Sequence, residues 1–94
     1  MIGVTVRYHT PLRQARGIAE EMVKLPEGAS LAEAVCTLAE AGPPALRGML
    51  LASDGGLSPH LVLFHNGSLA TGTARHAPLA DGDEIKLFLA ISGG

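Results

Sequence analysis

Apolar and polar residues alternate from the start of the chain: Ile2, Val4, Val6 and Tyr8 interleave with Gly3, Thr5 and Arg7, the period-two pattern of a half-buried strand. Thr10-Pro11 and Gly17 then bracket a short stretch with a cap-like threonine, a proline suited to a first helical position and a terminating glycine, so a turn or a single helical turn is expected. A second strand is expected over residues 19–25; its alternation is less clean, but its closeness to the first points to an antiparallel pair, ended by Pro26-Glu27-Gly28. The period then changes. Ser30 and Glu33 form a capping box ahead of Leu31, Ala34, Val35 and Leu38, which share one face of a helix. Gly42 and the prolines that follow it stop that helix after about three turns, and Pro44 opens a shorter one through Leu46, Met49 and Leu50.

After a loop at residues 53–59, a short apolar segment from His60 to His65 runs into Asn66-Gly67. Both residues of that pair tolerate the positive φ of a type I′ turn, so a hairpin arm is expected over residues 68–70. Residues 71–79 look irregular, with Pro78 set against a central strand, and Asp81-Gly82-Asp83 makes a tight turn into a last strand over residues 84–91. The order strand, strand, helix, strand, short strand, strand is that of an α+β fold, a mixed sheet of about four to five strands with one main helix on one face.

Composition narrows the class. Ninety-four residues make one small core, and no apolar run approaches the ~20 residues that cross a bilayer. A start that alternates like a strand, with no basic region ahead of an apolar block, favours the cytoplasm. The net charge of −2, with no block of Lys or Arg, provides no footprint for nucleic acid or an anionic membrane. A single cysteine, Cys36, excludes an internal disulfide and a thiolate cluster.

The candidate chemistry lies at the other end. On the last strand Ile85, Leu87, Leu89 and Ile91 share one face, which belongs in the core; Glu84, Lys86, Phe88 and Ala90 share the other. Phe88 therefore sits on a face that is otherwise polar or small, where either a neighbouring loop or a partner protein covers it. Beyond it the chain ends in Ser92-Gly93-Gly94. With 12 glycines in 94 residues, two in succession at the very end arise by composition in only about 2% of cases. A tail without side chains can thread a narrow channel, and what it delivers is the α-carboxylate of Gly94. A carboxylate is a poor electrophile, so acyl chemistry there needs activation by another protein, most simply as an adenylate made with ATP.

Asp81-Gly82-Asp83-Glu84-Ile85, Leu87-Phe88 and the terminal Gly93-Gly94 resemble the C-terminal signature of the MoaD/ThiS family of ubiquitin-like sulfur carrier proteins. The Asn66-Gly67 turn, Pro78-Leu79, and Leu25-Pro26-Glu27-Gly28 before the capped helix resemble that family as well. The resemblance implies a ubiquitin-like β-grasp fold over residues 1–91, its first and last strands parallel, with a flexible diglycine tail at 92–94. It implies a carrier rather than an enzyme, or the small subunit of a synthase complex. Gly94 would be adenylated by an adenylyltransferase of the ubiquitin-activating type, which uses the ATP, and converted to a thiocarboxylate with a sulfurtransferase as source. The sulfur would pass to a synthase such as a molybdopterin synthase large subunit. Gly93, Ser92 and Phe88 would be the partner-binding residues, with no metal and no bound cofactor. Leu89-Ala90-Ile91 stands where molybdopterin-pathway carriers have prolines and is similar to thiamine-type carriers, whereas the length and the loop at 53–59 resemble the longer MoaD-like and cysteine-biosynthesis carriers. Molybdenum cofactor biosynthesis is favoured, with thiamine, cysteine, tRNA thiolation and secondary metabolism as alternatives.

Other groupings weigh less. His60 and His65 point to opposite faces of a straight strand, and His9 and His76 lie in separate loops, so exposed or locally bonded histidines are expected rather than a metal site. Cys36, next to Val35, Leu38 and Ala39, is expected to be a small buried hydrophobe, and the acidic residues at 81, 83 and 84 to be solvated turn formers. Two further functions share these features: a ubiquitin-like modifier joined to lysines through Gly94, and a non-covalent β-grasp interaction module.

Overall fold

The alternating N-terminus forms β1 (Ile2–Tyr8), in which Ile2, Val4, Val6 and Tyr8 are buried on the core face, while on the other face Gly3 is buried, Thr5 half-buried and Arg7 exposed. In the computed structural model, which describes residues 1–90, β1 continues into α1 (Leu12–Arg16) and β2 (Glu20–Leu25). The main helix α2 (Leu31–Ala41) and the shorter α3 (Pro44–Leu50) follow, then the hairpin β3 (Leu61–His65) and β4 (Ser68–Ala70), a 3-10 turn (Gly72–His76), and β5 (Glu84–Leu89). The expected end of the last strand at Ile91, and with it Ser92, Gly93 and Gly94, lies outside the described residues.

The strands form one mixed sheet in the order β2-β1-β5-β3-β4. β1 and β2 pair antiparallel, Ile2 opposite Leu25 and Arg7 opposite Glu20. β1 and β5 run parallel with Val6 opposite Ile85, and β5 is closed on its other side by antiparallel β3. This sets the first and last strands of the described residues side by side at the centre of the sheet, the arrangement of ubiquitin-like β-grasp proteins. The helices lie over one face, and Val4, Val6, Leu63, Ile85 and Leu87 pack with Leu31, Val35 and Leu38 of α2 and Leu46 and Leu50 of α3 in one core. Among the described residues no helix is long and apolar enough to cross a membrane.

The local signals act as their chemistry requires. Ser30 Oγ accepts from the Glu33 N–H at 3.1 Å while Glu33 Oε1 accepts from the Ser30 N–H at 3.0 Å, a complete capping box. Glycine suits position 42, where α2 turns into α3, because a Cβ there would crowd Leu46 Cδ2 at 2.8 Å and the Leu38 carbonyl oxygen at 3.0 Å. Asn66 and Gly67 adopt φ of 51° and 84°, the left-handed pair of a type I′ turn.

Two expectations are corrected, and the cause of a third feature becomes visible. Thr10 does not cap α1: Pro11 holds the cap position and no side chain caps the helix. Cys36 is half-buried, not buried; α2 turns 100° per residue, so Cys36 falls beside the core face that Val35 occupies, in a cleft with Thr37 and His76. The uneven alternation of β2 comes from Glu21, a carboxylate on the core face, which accepts hydrogen bonds from the Tyr8 hydroxyl and, at 2.9 Å, from Arg16 of α1. Burial, with Glu21 at its hydroxyl, pushes the Tyr8 phenol above its ordinary range.

Candidate functional site

β5 carries the candidate site because it is the central strand and the last one. Leu87 goes into the core, whereas Phe88, next in sequence, projects from the face without helices. The expected choice between a covering loop and a covering partner is met halfway. His9, just after β1, stacks its ring on Phe88 with centroids 4.0 Å apart and planes 9° from parallel, and Phe64 of β3 meets it edge-on at 5.4 Å. These are the favourable geometries for aromatic pairs. The flank is still open, with Phe88 half-buried.

The register extends this cluster into a patch. Val62 lies opposite Phe88, Phe64 opposite Lys86, and Leu69 of β4 opposite Phe64, with Leu69 58% exposed. Arg7 pairs with Glu84 at 2.9 Å and Lys86 approaches the same carboxylate at 3.9 Å, so the apolar centre has a charged border on the β1 side. His9 Nε2 is buried without a hydrogen-bond partner among the described residues. The sequence expectation of an exposed or locally bonded histidine is corrected at His9, whose ring is stacked on Phe88 with Nε2 buried and unbonded among the described residues, and Phe64 carried no sequence expectation. Phe64 becomes visible once β3 is known to flank β5, because Asn66-Gly67 then sets the faces of the hairpin; His9 has no local signal.

The acidic turn before β5 is a clamp. Asp81 Oδ1 accepts from the Gly3 N–H of β1 at 2.7 Å. Asp83 accepts from the Asn66 amide at 3.0 Å and the Ala80 N–H at 2.8 Å, and lies 2.7 Å from His65 Nε2. Asn66 in turn accepts from the Glu84 N–H at 2.8 Å. The two aspartates thus tie the start of β5 to the strands on both sides. This corrects the expectation of a freely solvated turn: the Asp83 side chain is only 14% exposed. Hydrogen bonds from the Asn66 amide and Ala80 N–H, with His65 beside them, hold its carboxyl down to about 2 from an ordinary 3.8. A carboxyl depressed in the folded state stabilises above its unfolded pKa, and that contribution fades as pH falls from ~4 towards ~2. Asp83→Asn is expected to lower stability at neutral pH by about 2 kcal/mol, and the gap to the parent should close in acid. Urea unfolding at pH 7 and pH 2.5 checks this; an equal deficit at both would refute it.

Of the sequence-derived site residues, Phe88 is in place on the open face, while Ser92, Gly93 and Gly94 lie outside the described residues. Ala90 N–H donates to the carbonyl of His60, just ahead of β3, at 2.7 Å, so the chain is held beside β3 as far as Ala90. Among the described residues no group of three or more His, Cys, Asp or Glu is placed to hold a metal ion.

The sequence model of the ThiS family matches residues 6–94. No curated protein matches. Among solved structures the chain is similar to SAMP1 from Haloferax volcanii, with 28% identity, TM-score 0.85, and 98% of this chain and 99% of that one covered. It is also similar to a putative molybdopterin converting factor subunit 1 from Pyrococcus furiosus, at 22% identity and TM-score 0.77 over 97% of this chain and all 100% of the other. In Helicobacter pylori 26695, a complex of subunits 1 and 2 of the molybdopterin-converting factor contains a chain at 22% identity and TM-score 0.62, covering 99% of this chain and 100% of that one.

Proposed function

The chain belongs to the ThiS family, and from that premise we propose that it is a sulfur carrier whose Gly94 carboxylate is adenylated and then converted to a thiocarboxylate. A ubiquitin-activating-type adenylyltransferase uses ATP: a Gly94 carboxylate oxygen attacks the α-phosphate, pyrophosphate leaves, and the acyl carbon now carries AMP as a leaving group. A sulfide equivalent from a sulfurtransferase displaces AMP, so that one sulfur replaces one oxygen. The thiocarboxylate then donates this sulfur on a synthase. No residue of the carrier needs to act as acid or base; its part is to bind and to deliver.

The observation that carries this reading is that the family match runs through the terminal Gly93-Gly94, next to a strand built for presentation. β5 is paired on both sides and clamped at its start, with Phe88 half-buried on the open face, where it would be a docking contact. Ser92 and Gly93 would be the threading segment, narrow enough for an enzyme channel. The chain's length and the loop at 53–59 favour a synthase of the molybdopterin type as acceptor of the sulfur.

Incubation with ATP, the cognate activating enzyme and a sulfur source should raise the intact mass by the difference between sulfur and oxygen, with the change localised to Gly94 by fragmentation. An unchanged mass with the cognate enzyme active on another carrier would sink the proposal. A second reading, conjugation of Gly94 to lysines, is favoured by the likeness to SAMP1, a small archaeal modifier protein, at 28% identity. It shares the adenylation step and predicts isopeptide-linked Gly-Gly remnants on other proteins.

A further inference from the structure

β2 is an outer strand of the sheet, and its backbone shows which groups are left open. Tyr8 N–H donates to the Ala19 carbonyl at 2.8 Å, so Tyr8 and Ala19 form a hydrogen-bonded pair. Such pairs alternate with non-bonded ones along an antiparallel ladder. With the observed register, Glu21, Val23 and Leu25 bond to β1, while the N–H and C=O groups of Glu20, Met22 and Lys24 point away from the sheet. The other side of β1 agrees: Gly3 and Thr5, opposite Lys24 and Met22, direct their N–H groups to Asp81 and Asp83 on the β5 side. The side chains of Glu20, Met22 and Lys24 are all exposed, Met22 to 69%.

These three residues have a twofold pattern. Glu20 and Lys24 are opposite in charge and sit two residues either side of Met22. We propose that β2 pairs antiparallel with β2 of a second copy of this chain, on a twofold axis through Met22. Met22 then faces Met22 of the partner subunit, and Glu20 of each chain faces Lys24 of the other. All three pairs are of the hydrogen-bonded kind, giving about six backbone hydrogen bonds, and the two cross-strand ion pairs are of the stabilising sign. An arbitrary strand meets the same charges as a deterrent; a second copy meets them as complements. The other outer strand, β4, has three residues and carries no such symmetry.

The axis stands perpendicular to the sheet, so both aromatic patches lie on the same side of one continuous ten-stranded sheet. Five strand spacings separate the two β5 strands, roughly 24 Å. The pairing leaves β5 and Phe88 uncovered, so the dimer would present two docking faces at once.

Sedimentation of the full chain from ~10 µM to ~1 mM should show a reversible monomer–dimer equilibrium. Lys24→Glu or Glu20→Lys alone places two like-charged pairs across the axis and should raise the dimer dissociation constant about tenfold. The double exchange should restore it to within about threefold, because the opposite-sign pairs re-form. Met22→Pro removes an N–H that β1 does not use, and should abolish the dimer while the far-UV spectrum is kept. A chain monomeric throughout this range overturns the proposal, as does a double variant no stronger than the single ones. So too does a dimer indifferent to these changes, which would place the contact on another surface. Should Met22→Pro unfold the chain, the charge exchange decides alone.

Discussion

Deleting Gly94 is expected to abolish charging of the chain by its activating enzyme while leaving the fold intact. Truncation does not remove a carboxylate; it moves it to Gly93. One residue of extended chain spans about 3.5 Å, whereas a nucleophile and its target must come within about 3–3.5 Å in a defined orientation, and misplacement by 1 Å can cost a hundredfold. ATP–pyrophosphate exchange should therefore fall by at least about a hundredfold, to background. The core side chains of the described residues lie between Ile2 and Leu87, so the thermal midpoint should be unchanged. A truncated chain charged at the parent's rate would remove Gly94 from the mechanism.

The second large effect separates two neighbouring residues. Leu87 is fully buried between β1 and β3, and Leu87→Ala is expected to cost about 2–5 kcal/mol. That is a large share of the ~5–15 kcal/mol that holds a domain folded. Phe88→Ala, one residue on, gives up a half-buried ring and its contacts with His9 and Phe64, about 1–3 kcal/mol and at the lower end because no core cavity is left. If the aromatic patch docks the activating enzyme, Phe88→Ala should instead weaken that complex about tenfold or more. Urea unfolding and a binding titration on both variants give opposite rankings. A Phe88→Ala chain that binds as tightly as the parent would leave Phe88 a purely internal contact.

What could be read from sequence follows from how far each signal reaches. β1, the Ser30–Glu33 box, the Gly42 stop and the Asn66-Gly67 turn were all legible, because each is a contest between residues a few positions apart. β2 was blurred by Glu21, whose inward carboxylate makes sense only beside Tyr8 and Arg16. The parallel pairing of β1 with β5 has no trace in periodicity, since it joins segments at opposite ends of the chain; it was expected only through the family resemblance. The candidate site divides in the same way. The face of Phe88 was legible from alternation in its own strand. Its neighbours His9 and Phe64 were not, and neither was the clamp at Asp83, because those contacts exist only after three separate segments have been brought to one place.

The central position of β5 also has a mechanical consequence. A load applied to the C-terminal end passes first into β5, along the strand axis. Strands bond to β5 on both sides, so a pull in that direction loads the ladders with β1 and β3 in shear, many hydrogen bonds together, instead of peeling them off one by one. The domain can therefore be drawn by its end against the mouth of an enzyme tunnel and resist fraying, with two ladders sharing a load that an outer strand pulled the same way would place on one.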